Sequence, residues 1–152
     1  GEKVPSEITQ FKIMIPKINL ESEVIANVDP ASELDYDTKL KYGVAHALGS
    51  YLPGGKGPVY LFAHSTDTIF NITRFNAKFF AVKELAVGDE VEILFNNKRY
   101  TYIIRERQII QPDQLDVIRA SDSNLVLQTC WPPGTNWQRL ILFADIKSVQ
   151  DI

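Results

Sequence analysis

The chain contains a single cysteine, Cys130, which directly follows the apolar run 125–129 and precedes a stiff Pro-Pro-Gly stretch. A thiol acts as a nucleophile only in its thiolate form, so it needs a nearby proton acceptor or cation. One cysteine also excludes an internal disulfide and every multi-cysteine metal site. Two interpretations stay open at this point, a buried inert thiol, which is common in proteins, and a reactive one.

The proton acceptor would have to be one of two histidines, His46 or His64. His64 directly follows the apolar run 59–63, which predicts a buried strand. A residue just past a strand end is held by the sheet and can still face a cleft. His64 is therefore the better candidate for a general acid or base, although a lone histidine at a strand end often has only a structural role.

Arg139 is the candidate cation, nine residues after Cys130. If strands 125–129 and 140–146 pair as a hairpin, residues 131–138 form its loop, and Cys130 and Arg139 lie at the two bases. A guanidinium there can stabilise a thiolate and donate hydrogen bonds to a developing oxyanion. The alternative for an isolated arginine is a loop cap or a partner of a carboxylate.

Strand alternation predicts which side chains share a face near the thiol. One face carries Leu125, Leu127 and Thr129, and the other carries Val126, Gln128 and Cys130.

The elements that must position these residues are mostly short strands. Asn96-Asn97 predicts a hairpin turn between two of them, and the glycine- and proline-rich stretch 49–58 predicts a loop. A short helix is expected around Leu34, Leu40 and Val44, with Asp37 as its cap, whereas 70–82 is ambiguous between helix and loop, with Phe70, Phe75 and Phe79 contributing to the core. Strands are predicted at 11–15, resuming at 18–20 after the interruption at Pro16, and at 21–25, 59–63, 91–95, 99–110, 125–129 and 140–146. Without βαβ repeats, about eight strands favour a single antiparallel or mixed β-barrel.

Composition limits the classes of partner and cofactor. The 152 residues suffice for one domain, and a net charge of −3 without a basic run predicts neither nucleic acid nor an anionic membrane surface as a partner. No apolar stretch approaches the roughly 18 residues of a membrane span. The acidic stretch 33–37 misses the EF-hand spacing. We therefore predict a solvated acidic loop, with no metal and no cofactor.

In several stretches the chain resembles the sortases, cysteine transpeptidases of bacterial surfaces. "LQTC" followed by Arg139 is similar to the family's Thr-Leu-X-Thr-Cys motif with its downstream arginine. Residues 42–65, which end in "YLFAHS", resemble the segment that leads to the catalytic histidine. Residues 15–24 and 87–104 resemble the opening strand pair and a later hairpin. Val126 and Ala63 depart from the pattern, where the family has threonine and often glycine, which leaves the subclass open.

The resemblance implies a mainly β fold, a single closed eight-stranded sortase-type barrel over residues 1–152 with one or two short helices. It makes Cys130 the nucleophile, His64 the general acid/base and Arg139 the oxyanion and substrate-positioning group, and it leaves His46 outside the catalytic set. Thr129 and Trp131 are candidates for substrate contact, although packing of the loop is the slightly favoured role for Trp131.

The implied reaction cleaves a Leu-Pro-X-Thr-Gly-like sorting signal through a thioacyl enzyme and transfers the acyl group to an amine. The implied partners are surface proteins that bear the signal and an amine from a cell-wall precursor or a protein lysine. We expect work at the extracytoplasmic face of a bacterial membrane, with a membrane anchor encoded outside these residues. Calcium dependence has no support in the sequence.

Three alternatives remain. Cysteine phosphatases use a shorter Cys-to-Arg spacing in a loop that opens a helix, and Pro132-Pro133 would remove two of its N–H donors. Papain-like proteases need a Cys-Gly-Ser-Cys-Trp type context, which the sequence lacks. The third alternative is a non-catalytic β-barrel binding module or an inactive sortase-like domain.

Overall fold

The computed structural model describes residues 7–29, 44–63, 80–114, 121–131 and 138–152. Their strands form one closed barrel in the order β1-β2-β3-β4-β7-β8-β6-β5, as predicted. The strands are Phe11–Ile15 (β1), Leu20–Val28 (β2), Val44–Ala47 (β3), Val59–Phe62 (β4), Glu90–Phe95 (β5), Lys98–Ile110 (β6), Leu125–Trp131 (β7) and Gln138–Asp151 (β8). Short 3-10 helices cover Pro16–Ile18 and Phe80–Glu84.

Strand directions decide which chain segments meet at each end of the barrel. β4 runs parallel to β7, and β8 runs antiparallel to both. The ends of β4 and β7 and the start of β8 therefore lie at one end of the barrel, which we call the thiol end. The end of β3 and the starts of β4, β6 and β7 lie at the other end, which we call the distal end.

Alternation along the strands divides the apolar side chains between the barrel interior and its outer surface. Leu125 and Leu127 belong to the interior core, together with Leu61 of β4 and Leu142 of β8. Val126, one residue out of step, packs in a smaller cluster with Ile110, Ile141 and Phe143. Each fully buried aliphatic side chain contributes about 1.5–3 kcal/mol, so the double pattern holds both faces of β7 in place.

Local backbone geometry explains the predicted hairpin between β5 and β6. Asn96 and Asn97 both have positive φ angles, 46° and 68°. Two-residue hairpin loops of this kind need positive φ at both central positions, and asparagine tolerates that conformation better than most residues. The predicted turn at Asn96-Asn97 is thus confirmed.

Two sequence predictions are wrong. Val44 begins strand β3 instead of ending a helix; the run Val44–Ala47 is buried throughout, so it lacks the polar alternation that marks a half-exposed strand. The predicted loop 131–138 is too long, because Trp131 and Gln138 still pair with each other. Leu34, Asp37, Leu40, Phe70, Phe75 and Phe79 lie outside the described residues. None of the helices in the described part of the chain has the length and apolarity to cross a membrane.

Candidate active site

The hairpin of β7 and β8 brings the candidate nucleophile and cation to one rung of the sheet. Cys130 is the register partner of Arg139, and Trp131 is the partner of Gln138. Residues directly opposite each other on an antiparallel pair have Cβ atoms about 4.5–5.5 Å apart. The predicted placement of Cys130 and Arg139 at the two bases of one loop is therefore confirmed for the backbone, with a connection of residues 132–137.

Packing holds this register. Leu127 is paired with Leu142 and Leu125 with Ala144, and all four side chains are completely buried in the interior core. A slip of one residue would move every side chain of the strand to the opposite face of the sheet. The pairing of Cys130 with Arg139 is thus a consequence of apolar residues several positions away.

Arg139 is partly buried, and its guanidinium group has polar and electrostatic contacts. Its Nη1 donates a hydrogen bond to the Gln138 carbonyl oxygen at 3.1 Å. Burial raises the pKa of Tyr60, and the positive charge of Arg139 opposes that rise. The cation therefore lies close enough to the phenol of β4 to act on its ionisation.

Strand β4 approaches the same end of the barrel alongside β7. Phe62 pairs with Gln128, and the Ala63 N–H donates to the Gln128 carbonyl oxygen at 3.2 Å. The next residue in the chain, His64, lies outside the described residues. The described part of β4 thus leads to the thiol end and stops one residue short of the candidate acid/base.

His46 occupies a different environment and is completely buried. Its Nδ1 accepts a hydrogen bond from the Asn27 N–H at 3.1 Å. Its Nε2 lies 2.9 Å from the Tyr51 carbonyl oxygen, which can only accept, so Nε2 carries the proton. Burial lowers the pKa of His46, and the hydrogen bond to Tyr51 partly opposes that shift. His46 is therefore a neutral imidazole whose two nitrogens both hold the backbone.

The two residues predicted to contact substrate lie in β7. Thr129 is only 3 % exposed, and its Oγ1 makes no hydrogen bond with any described residue. Its partner across the hairpin is Leu140 of the interior core. Trp131 pairs with Gln138 through the backbone. Substrate contact by Thr129 and Trp131 stays a prediction.

Sequence reasoning missed one contact beside this hairpin. The Tyr60 hydroxyl donates a hydrogen bond to Gln128 Oε1, which joins β4 to β7 on the outer surface of the barrel. The available signal was a polar group in each of two apolar strand runs, four residues before His64 and two residues before Cys130. In the described ranges, no group of three or more His, Cys, Asp or Glu side chains has the arrangement of a metal site.

Comparison with known proteins agrees with this architecture. The chain is 31% identical to Sortase D of Bacillus subtilis (strain 168) over 120 residues, which is 78% of this chain and 52% of that protein. It is 29% identical to Sortase A of Streptococcus agalactiae serotype III over 114 residues, 73% of this chain and 44% of that protein. The chain thus spans about half the length of these curated relatives.

A solved structure shows the same fold. Sortase C-1 from Actinomyces oris superposes with a TM-score of 0.75 at 22% identity, covering 91% of this chain and 73% of that one. The family model of the sortase domain matches residues 13–147, which include most of β1, all of β2 to β7 and most of β8. With that match over most of its length, the chain belongs to the sortase family.

Proposed function

We propose that this chain is the catalytic domain of a sortase-type cysteine transpeptidase. Cys130 is the nucleophile, His64 the general acid/base and Arg139 the group that holds the oxyanion. The pairing of Cys130 with Arg139 on one rung of the β7–β8 hairpin, in a chain of this family, carries the proposal. Thiol acyl transfer requires a nucleophile and a cation that stabilises the oxyanion. The candidates for both share this rung.

The assignment of the acid/base depends on the contrast between the two histidines of the chain. His46 is buried, and both of its ring nitrogens are engaged with Asn27 and Tyr51. It cannot exchange a proton with substrate without losing one of those bonds. His64 directly follows Ala63, which is hydrogen-bonded to β7. This contrast supports His64 for the role.

The chemistry proceeds in two acyl transfers. The Cys130 thiolate attacks the threonine carbonyl carbon of a Leu-Pro-X-Thr-Gly-like signal, and Arg139 donates hydrogen bonds to the oxyanion. The Thr–Gly carbon–nitrogen bond breaks, and His64 gives its proton to the leaving amine. An acceptor amine then loses a proton to His64 and attacks the thioester. The carbon–sulfur bond breaks, the new amide forms and the thiolate is regenerated.

The proposed partners follow from this chemistry. The acyl donor is a surface protein that carries the sorting signal, and the acceptor is an amine of a cell-wall precursor or of a protein lysine, as in pilin-like polymers. The proposed place of action is the extracytoplasmic face of the bacterial membrane, reached through an anchor outside these residues. The reaction as written requires no cofactor.

A sorting-signal peptide with a fluorophore and quencher, mixed with an amine acceptor, tests the proposal. Native protein should release the carboxyl-terminal fragment and form the amide product, seen by mass spectrometry. Cys130→Ala, His64→Ala and Arg139→Ala should each lose turnover. A fully active Cys130→Ala variant would refute the assignment.

Thiol reactivity separates the enzyme from a non-catalytic barrel. Folded native protein should react with a small alkylating reagent at neutral pH at its single cysteine. If Cys130 resists the reagent until the protein is denatured, the thiol is inert and the chain is a binding module or an inactive family member.

A further inference from the structure

Gln128 lies one alternation step before the candidate nucleophile on β7. It belongs to the same face as Val126, which packs in the smaller apolar cluster on the outer surface of the barrel. Position 130 follows on that face, and two residues of a strand span about 7 Å. A glutamine side chain at position 128 is therefore within reach of a peptide whose scissile carbonyl lies at Cys130.

Tyr60 of β4 fixes one end of the Gln128 amide. The Tyr60 O–H donates a hydrogen bond to Gln128 Oε1. Tyr60 is partly buried, and its ring meets the Phe62 ring edge-on, with centroids 6.1 Å apart and an interplanar angle of 70°. The ring also packs against the smaller apolar cluster. The oxygen of the amide is thus bound to a side chain that has contacts on several sides.

The nitrogen of the same amide is available to a ligand. Because Oε1 accepts the Tyr60 proton, Nε2 with its two N–H donors points away from the Tyr60 hydroxyl. The Gln128 side chain is partly exposed, and within the described ranges its Nε2 donates no hydrogen bond. An amide that is held at its oxygen and open at its nitrogen is suited to bind a carbonyl oxygen.

The spacing of carbonyl groups in a sorting signal matches this donor. In a Leu-Pro-X-Thr-Gly-like peptide, leucine and proline have apolar side chains, so only their backbone carbonyls can accept a hydrogen bond there. Alternate carbonyls of an extended peptide point to the same side and lie about 7 Å apart. With the threonine carbonyl at Cys130, the proline carbonyl falls at the distance of position 128. The rings of Tyr60 and Phe62 beside Gln128 match the apolar character of leucine and proline.

We propose that Gln128 binds the acyl part of the sorting signal: its Nε2 donates a hydrogen bond to the carbonyl oxygen of the proline, two residues before the scissile threonine, while Tyr60 holds its Oε1. The inference rests on the proposed function, because it names a contact made by the peptide that Cys130 attacks. The contact does not involve the reacting atoms, so Gln128 contributes to substrate binding and not to the chemical step.

Gln128→Glu removes the amide donors and keeps both the length of the side chain and an oxygen that can accept from Tyr60. In the fluorogenic peptide assay we expect kcat/KM to fall about tenfold through KM, with kcat within twofold of native, because the lost contact serves substrate and transition state alike. Gln150→Glu is the matched control, since it makes the same chemical change at an exposed position of β8 at the distal end. It should leave both constants unchanged.

A change in the substrate identifies the atom that Gln128 contacts. A thioamide at the proline carbonyl replaces the oxygen by sulfur, which is a weaker acceptor. Native protein should lose about tenfold in kcat/KM on this peptide, whereas Gln128→Glu should change less than twofold, because two changes that remove one contact are not additive. A thioamide at the leucine carbonyl is the control, and it should affect the two proteins equally.

Tyr60→Phe tests whether the phenol holds the amide. The ring is retained and the amide loses its fixed partner, so kcat/KM should fall about threefold on the ordinary peptide and stay unchanged on the proline thioamide. An equal loss on both peptides would overturn this role of Tyr60.

Two results would overturn the inference and leave the proposed function intact: a native-like KM in Gln128→Glu, or the same loss from the proline thioamide in native protein and in Gln128→Glu. If native protein cleaves no sorting-signal peptide, the proposed function fails and the inference fails with it. Turnover by native protein therefore separates the two failures.

Discussion

The two ends of the barrel use polar residues in opposite ways. At the distal end, His46 is sealed inside the fold and each of its nitrogens holds a backbone group of Asn27 or Tyr51. At the thiol end, Arg139 is only partly buried and lies opposite Cys130 on a strand pair. The distal end satisfies the ring nitrogens of His46 internally, whereas the thiol end places Cys130 and Arg139 opposite each other on one rung of a hairpin.

The large cavity of the described barrel and the candidate reactive groups lie at opposite ends. A cavity of about 720 Å³ lies at the distal end, lined by Tyr51, Phe95, Tyr100 and neighbouring loop residues. The described residues that line it include no cysteine or histidine, and His46 Nε2 holds the backbone of its loop at the Tyr51 carbonyl oxygen. A large concave site is the usual first choice for an active site. The proposed site follows strand register instead, because the register places Cys130 opposite Arg139.

The largest expected effect lies at the thiol end. Arg139→Ala should lower kcat about 100- to 1,000-fold in the peptide assay, the usual loss for an oxyanion donor. Arg105→Ala is the control, since that arginine is in β6 and pairs at the surface with Asp122 and Asp145. It should stay within twofold of native. Equal losses in the two variants would remove the distinction between a catalytic and a surface arginine.

At the distal end, substitution should affect stability and leave chemistry intact. His46→Ala removes a buried ring and leaves the Asn27 N–H and the Tyr51 carbonyl without their partner. We expect the free energy of unfolding to fall by about 2–4 kcal/mol in urea titrations. The kcat per folded molecule should be unchanged, whereas His64→Ala should lose turnover. Loss of turnover in folded His46→Ala would contradict the structural role of His46 and the assignment of His64 as the acid/base.

The pH dependence of stability should report His46 directly. Its folded-state pKa lies below the ordinary value of 6.5, so the unfolded chain binds the proton more readily. The contribution is therefore complete above pH 6.5 and is lost at lower pH, by at most about 1.4 kcal/mol per pH unit. Urea titrations between pH 7.5 and roughly 5 should show the loss in a His64→Ala background and lack it when His46→Gln is added. A free energy of unfolding that does not change with pH in the His64→Ala variant would contradict a lowered pKa for His46.

The smallest effect concerns the turn at the distal end. Asn97 has a φ of 68°, and its backbone N–H and carbonyl, not its side chain, form the hydrogen bonds to Gln10 and Ile152. Asn97→Ala should destabilise the protein by about 1 kcal/mol, while Asn97→Gly should be neutral or slightly stabilising. Thermal melts compare the two variants, and equal melting temperatures would show that the positive φ is not the cause.

Local patterns predicted the parts of the fold in which one rule applies. The alternation of residues 125–129 predicted the two faces of β7, and Asn96-Asn97 predicted the hairpin between β5 and β6. Strand β3 was not predicted because its four residues are buried on both faces, which removes the alternation of apolar and polar residues. The length of the β7–β8 loop was wrong because pairing continues to Trp131 and Gln138, beyond the apolar run.

Residue types and spacing by themselves determined the candidate chemistry: one thiol, a guanidinium nine residues later and a choice of two histidines. Only the tertiary structure decided that His46 is sealed by Asn27 and Tyr51, and that Tyr60 reaches Gln128 from another strand. The physical reason is the distance along the chain over which each interaction acts. Alternation and turn preference act within a few residues, whereas burial and hydrogen-bond partners depend on which distant strands the closed barrel places side by side.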